Sequence, residues 1–318
     1  MHPILKLVAQ RVALGILLLW AASVLIFVGT QILPGDVAQS ILGQAATPQS
    51  LANLRAELGL NEPPVARYFA WLGGVLTGDL GTSLTNGRDI ATAMGGRLWN
   101  TLFLAFWTAL IAVPTAILLG LVAVRYQGRW PDKLISGTTL ATVSVPEFLL
   151  GYIAVFFLAV QYRVFPSIST VYDSMSLGEK LNAIALPIIV LTLTILGHMM
   201  RMTRAAILNV MQSAYIETAE LKGLGGFAVI ARHAFPNAIA PVINVVMLNL
   251  AYLVVGVVVV EVVFVYPGMG QYLVDHVAKR DVPVVQACGL VFAAVYIGMN
   301  LLADVMSILA NPRLRHPK

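Results

Sequence analysis

Few side chains in this 318-residue sequence are placed to do chemistry. Its five histidines, His2, His198, His233, His276 and His316, are scattered without the spacing that holds a metal ion. The single cysteine, Cys288, lies inside an apolar run, which excludes an internal disulfide and any multi-cysteine metal centre. It reads as a small packed side chain. There is no GxxxxGK phosphate loop, no HExxH pair and no GxSxG elbow. Gly268-Met269-Gly270 lacks the strand–glycine–helix context of a dinucleotide site and reads as a turn. Acid–base catalysis needs a second group within reach of the first. Glu147 falls near the middle of an apolar segment with no acidic partner at its depth, while Glu261 and Asp304 fall near segment ends. The expectation is a chain that is not an enzyme and holds no metal or cofactor of its own.

One polar stretch does carry a pattern. Gln212 to Pro241, QSAYIETAELKGLGGFAVIARHAFPNAIAP, interrupts the apolar second half with Glu217, Glu220, Lys222, Arg232 and His233. Gln212 to Lys222 reads as a helix ended by Gly223, a residue favoured just past a helix C-terminus. Gly225-Gly226 allow a sharp turn, and Phe227 to Phe235 reads as a second short helix stopped before Pro236. Two short helices joined by glycines make a knob between two apolar segments. From these residues alone it is either an interfacial amphipathic hairpin or a docking element.

Those apolar segments decide the class. Hydrophobic residues are 58% of the chain and charged ones 11%, against roughly 25% charged in a soluble domain. The chain therefore reads as an all-α polytopic membrane protein. Six spans are expected: Val12 to Leu33, Leu98 to Val124, Leu134 to Gln161, Leu181 to Met200, Ala238 to Val260 and Val282 to Leu309. The first is too long for a typical signal-peptide core and reads as a retained span. Lys6, Arg11, Arg125, Arg129, Lys133, Arg201, Arg204, Lys222, Arg232, Arg313, Arg315 and Lys318 gather on one side, against Asp132, Glu217 and Glu220. On the other side Arg55, Arg67, Arg88, Arg97, Arg163, Lys180, Lys279 and Arg280 are balanced by acids from Asp36 to Asp281. The positive-inside rule then places both termini and the Gln212–Pro241 loop in the cytoplasm. Basic residues at span ends, with no aromatic-interleaved basic stripe, argue against nucleic acid as a partner; membrane lipid is the expected surroundings.

Residues 36–97 have a different composition. PQSLANLRAEL after Thr47 and ARYFAWLGGVL after Pro63-Pro64 read as helices, and Gly78-Asp79-Leu80-Gly81-Thr82-Ser83 as a tight polar turn. The organisation expected is thus 1–97, a span with a partly helical external region, and 98–318, a five-span core with a loop at 201–237. The longest segment on the cytoplasmic side is too short to fold a nucleotide-binding domain, so energy for work must come from another chain or an ion gradient.

Glu217-Thr218-Ala219, three residues and then Gly223 resembles the EAA-xxx-G signature of membrane subunits of bacterial ABC importers. The family's I-x-L-P continuation is here His233-Ala234-Phe235-Pro236, with the proline kept. LPGD (Leu33–Asp36), RAELGL (Arg55–Leu60), GDLGTS (Gly78–Ser83) and VVVVEVVFVYPGMGQYLVDHV…RDVPVVQ (Val257–Gln286) are similar to phrases of the dipeptide/oligopeptide/nickel permease branch, in the same order. The resemblance implies a type I ABC importer permease fold in the bacterial inner membrane. It implies a second similar permease subunit, two cytoplasmic ATPase subunits carrying ATP and Mg, and a periplasmic or lipid-anchored solute-binding protein. Tyr215, Glu217, Thr218, Ala219, Lys222, Gly223 and Pro236 would couple to the ATPase, with Glu217 and Ala219 facing it. Asp79, Glu261, Pro267, Gly268 and Gly270 become candidates for binding-protein docking or an external gate, against the plainer role of capping the bundle. Glu147 stands where related sequences read S-x-P-S-F-W; it either lines the translocation path or is protonated or hydrogen-bonded between helices. Solutes of this branch include peptides, nickel chelates, opines and some sugars. An autonomous secondary transporter is the rival, and it predicts internal repeats and more mid-membrane charges than this sequence shows.

Overall fold

A membrane leaves the backbone two ways to satisfy its polar groups, and this chain uses the helical one. The computed structural model describes residues 3–32, 37–57 and 59–310. In chain order the helices are α1 (Pro3–Ile32), α2 (Val37–Leu42), α3 (Pro48–Glu57), α4 (Pro64–Thr77), α5 (Ile90–Arg125), α6 (Trp130–Ser144) and α7 (Glu147–Ala154). A π-helical turn, Val155–Gln161, extends α7. Then come α8 (Leu177–Ala183), α9 (Ala185–Met211), α10 (Ala214–Leu221), α11 (Gly226–Val229), α12 (Phe235–Val263), α13 (Met269–Ala278) and α14 (Val282–Ala310). The LPGD turn and Leu58 lie outside the described residues.

Five of these helices are long and apolar enough to cross a membrane, and the α6–α7 pair makes a sixth span if counted as one. The expected continuous third span is instead bent by 101° at its centre. Val145 there is extended (φ −96°, ψ 128°), the conformation that a following proline enforces. Pro114 and Pro241 stay inside α5 and α12, so the break at Pro146 is as much a matter of packing as of the proline.

The helix expected over Phe227–Phe235 does not stop at Pro236. α11 passes through a π-turn, Ile230–Ala234, directly into α12, giving one apolar segment from Gly226 to Val263. Pro236 falls in the first turn of α12, where its missing N–H needs no partner. Other boundaries also move outward: α5 begins at Ile90, where Asp89 caps it by accepting from Thr92 N–H at 2.7 Å, and α9 runs on to Met211.

The core forms where α5, α9 and α12 meet, with Leu104, Ala112, Ala116, Leu191, Ile195, Met199, Leu253 and Val257 buried among them. Glycines let these helices approach closely. A Cβ on Gly197 would stand 2.6 Å from the Thr139 carbonyl of α6, and one on Gly120 3.1 Å from Thr203 of α9. α14 packs on α12, and α1 packs on α14. α4 leans on α1 through Phe27 and Tyr68, whose rings meet edge-on at 5.4 Å, and through a Ser23–Tyr68 hydrogen bond of 2.9 Å. The bundle thus has an end carrying α10 and α11 and an opposite end carrying α13.

Candidate functional site

The α13 end is built around two buried carboxylates. A helix leaves its first N–H groups without partners, and at α13 the preceding helix supplies them. Glu261, fully buried on α12, accepts from the N–H of Gly270 at 2.7 Å and of Gln271 at 3.1 Å. Thr101 of α5 donates to the same carboxylate at 2.6 Å and accepts from Met269 N–H at 2.8 Å. The negative group thereby sits at the positive end of the helix. Gly268 is required here, since a Cβ would overlap the Glu261 carboxylate; one on Gly270 would stand 2.6 Å from Val258 Cα. Tyr266 is buried and donates to the Asn100 carbonyl at 2.8 Å; burial, then the neighbouring Glu261, pushes its phenol up.

Asp281 is the second buried carboxylate. It accepts from Ser83 Oγ at 2.6 Å, Thr85 Oγ1 at 2.9 Å, Leu84 N–H at 3.1 Å and Thr85 N–H at 3.2 Å. The loop that supplies these donors is itself closed by the Thr82–Asp89 bridge. GDLGTS and RDVPVVQ, far apart in sequence, therefore meet at one carboxylate.

These contacts put three of the five residues singled out at this end inside the bundle. Glu261, Gly268 and Gly270 are buried, and Gly268 begins a helix rather than making a free turn. Pro267 is partly exposed and its carbonyl accepts from Asn100 Nδ2 at 2.9 Å. Asp79 is exposed, but its carboxylate closes its own turn by accepting from Gly81 N–H at 2.8 Å. The sequence reading missed Thr101 and Asp281; glycines beside an acid at a span end were the available signal for the first site.

The α10 end is assembled differently. α10 ends with Gly223 in the left-handed region (φ +77°). Gly223 N–H donates to the Glu220 carbonyl at 2.9 Å and Leu224 N–H to the Ala219 carbonyl at 3.3 Å, which is a Schellman motif. Ile216 and Ala219 face inward and join Val124, Ile207, Val229, Ile230 and Ala234 in an apolar cluster at the ends of α5 and α9. Ala219 therefore does not face outward with Glu217, because the three-residue spacing puts it on the stripe of Ile216. Tyr215, Glu217, Thr218, Lys222, Gly223 and Pro236 are all exposed. So are Leu221 (82% exposed) and Phe227 (72%), large apolar side chains on a segment otherwise rich in charge. Beside this unit Arg204 of α9 forks onto Asp132 of α6 at 3.0 and 2.9 Å, a pair not expected from sequence.

Glu147 stands at the elbow between α6 and α7, partly exposed, its side chain without a hydrogen bond or ion pair among the described residues. Gly151, about one turn along α7, packs closely on the end of α12, where an added Cβ would stand 3.0 Å from Val263.

The bundle thus combines five helices long and apolar enough to span a membrane and a sixth, broken span with a buried polar lock at one end and an exposed helical hairpin at the other. Residues 112–316 match the family described as binding-protein-dependent transport system inner membrane component, and residues 4–105 match its N-terminal region family. The chain belongs to this family: it is a permease subunit of a transport system with further subunits, and a multi-pass inner-membrane protein. A putative peptide transport system permease protein of Brucella abortus is 36% identical over 310 residues, 98% of this chain and 99% of that one. A glutathione transport system permease protein of Escherichia coli K12 is 32% identical over 298 residues, 94% of this chain and 95% of that one. Among solved structures, the inward-facing methionine ABC transporter MetNI superposes with a TM-score of 0.51 over 69% of this chain and 96% of that chain. At 17% identity that likeness is one of fold.

Proposed function

We propose that this chain is the membrane subunit of an ATP-driven importer of peptides or peptide-like solutes, and that α10 and α11 are where a separate ATPase drives it. One observation carries the coupling role. Leu221 and Phe227 stand exposed on a hairpin whose inner face is packed and whose turn is fixed by Gly223. Exposed apolar side chains on a rigid, charged element suit a protein partner. A stiff element transmits displacement where a loose loop would absorb it.

The partners in this reading are a second permease subunit, two ATPase subunits holding ATP and Mg, and a solute-binding protein at the α13 end. The peptide class rests on what the relatives are named for. The basic residues near the α10 end support a cytoplasmic location for it. Asp79 and Pro267 are the exposed candidates for contact with the binding protein, while Glu261, Gly268 and Gly270 would act from inside the wall.

The test is co-purification from membranes holding all the subunits. Leu221→Ser combined with Phe227→Ser should cut recovery of the ATPase with this chain at least tenfold. Undiminished recovery would refute docking at this hairpin.

A further inference from the structure

α4 stands apart from both the lock and the hairpin. None of its residues is buried, and α1 is its main neighbour. It has three faces. Tyr68 and Trp71 turn to α1, where the Phe27 ring lies 5.4 and 6.0 Å from theirs, centre to centre, and Ser23 Oγ lies 2.9 Å from the Tyr68 hydroxyl. Val65, Phe69, Leu72 and Leu76 make a second face at helical spacing, and Val65, Phe69 and Leu76 are 67%, 63% and 80% exposed. Ala66, Ala70, Gly73 and Thr77 make the third, small and exposed.

Two polar contacts fix the depth of this helix. α1 runs antiparallel to α14, joined by Arg11 to Asp304 at 3.0 Å and by Gln286 Nε2 donating to Thr30 Oγ1 at 2.7 Å. Arg11 to Thr30 is about 28 Å of helix, close to the roughly 30 Å of a hydrocarbon core. No charged residue falls between them on α1. Thr30 therefore marks the hydrocarbon boundary at the α13 end. Phe27 lies about 4–5 Å and Ser23 about 10 Å below it along α1, so the side chains of α4 that reach them lie below the boundary too. Arg67, the only charge on α4, instead donates to Gln31 Oε1 at the boundary, at 2.6 Å. The helix ends at Gly78, where the chain turns out to the loop held by Asp281.

This depth chooses between occupants. The Val65–Leu76 stripe carries no polar side-chain atom, and the same half of α1 exposes Leu25, Val28 and Ile32. Leu221 and Phe227 of the hairpin are exposed among charges, the setting of a protein contact. The α4 stripe is exposed at hydrocarbon level, beside a tyrosine and a tryptophan of the kind that collect at a membrane surface. We propose that α4 is an interfacial helix lying in the leaflet at the α13 end, with Val65, Phe69, Leu72 and Leu76 among phospholipid acyl chains and Ala66, Ala70, Gly73 and Thr77 toward water. Part of the region between the first two spans is thus a membrane anchor. It tethers the loop that closes on Asp281, whatever solute the protein carries.

The test is the quenching of a fluorophore from the lipid and from the water. Cys288, the native cysteine, is fully buried, so an added thiol is labelled over a low background. Phe69→Cys, Leu76→Cys, Ala70→Cys and Asp79→Cys are each labelled with bimane in the assembled transporter. The vesicles are phosphatidylcholine, plain or brominated near the glycerol end of the acyl chains, with iodide added on both sides as the aqueous quencher. Brominated lipid should lower emission about twofold or more at positions 69 and 76, where iodide should change it by no more than about a tenth. At positions 70 and 79 iodide should quench, and brominated lipid should act less than half as strongly. Iodide quenching at 69 and 76 equal to that at 79 would put α4 in water. Neither quencher acting there, or a thiol that the membrane-permeant label cannot reach, would mean that another protein covers the stripe. Either result overturns the proposal, as does equal lipid quenching at 69 and 70, which would leave the helix no face toward water. If either stripe variant fails to assemble, Val65→Cys replaces it with the same expectations.

Discussion

Both ends of this bundle use the same backbone device with opposite consequences. At the α10 end the left-handed residue after the helix is Gly223, which adopts that conformation without strain. At the α13 end Val265 (φ +52°) and Arg280 (φ +56°) take the equivalent position after α12 and α13. Tyr266 N–H returns to the Glu261 carbonyl at 2.8 Å and Asp281 N–H to the His276 carbonyl at 2.9 Å, as Leu224 does to Ala219. An L-residue costs about 1–2 kcal/mol there and persists only where its surroundings fix it. What fixes it is the next residue: Tyr266 and Asp281 are both buried and hydrogen-bonded. One end tolerates strain because buried polar contacts hold it; the other avoids strain and turns its chemistry outward. A lock and a handle are distinguished by where their polar groups point.

The largest effect should come from opening the lock. Asp281→Ala leaves the Ser83, Leu84 and Thr85 donors without their acceptor and detaches the 78–89 loop from α14. About 3 kcal/mol or more of stability should be lost, read as a lower midpoint of thermal unfolding in detergent, with Asp281→Asn falling between. Unchanged melting would mean the lock is not structural. Next in size, Arg204→Ala should cost about 2 kcal/mol, because it leaves Asp132, whose side chain is 8% exposed, with only the neutral donors Gly128 N–H and Ser136 Oγ. Arg204→Lys should recover part of this, since a lysine cannot reproduce the two-pronged contact.

How much of this was readable from sequence follows the same division. Gly223 was legible because a helix stop is local: residue type and position suffice. The all-helical, six-span architecture was legible because hydrocarbon imposes one length and one composition. The lock was not, since Thr101 and Glu261 are 160 residues apart and Thr101 is one of many threonines in apolar helices. Proline misled in two directions. Pro236 was read as a stop but opens the first turn of α12, and the span from Leu134 to Gln161 was read as continuous but breaks at Pro146. A proline restricts its own and the preceding residue; whether the helix resumes in line depends on neighbours that one sequence does not display. Ala219 was placed on the outer face because the EAA-like signature was read as a unit, whereas a helix separates residues two apart onto different faces.

The handle yields the smaller thermodynamic effects. Gly223→Ala should cost only about 1 kcal/mol, because nothing lies within 4 Å of the added Cβ and only the φ of +77° resists it. Gly223→Pro is different: proline is held near −65°, so the turn between α10 and α11 must rebuild. ATP hydrolysis should continue in that variant while solute uptake falls at least tenfold, measured together in proteoliposomes. Uptake at the wild-type level would show that the turn transmits nothing.

The smallest effect on stability, and the sharpest division between the ends, is expected at Leu221 and Phe227. Both side chains are largely exposed, so Leu221→Ser with Phe227→Ser should shift stability by no more than about 0.5 kcal/mol. The same substitutions should cut recovery of the ATPase at least tenfold, whereas Asp281→Ala should lower the melting point yet leave recovery intact in whatever fraction stays folded. If the double serine variant instead melts well below wild type, the hairpin is part of the bundle's own packing. The contrast between a locked end and a presented end would then fail at its second term.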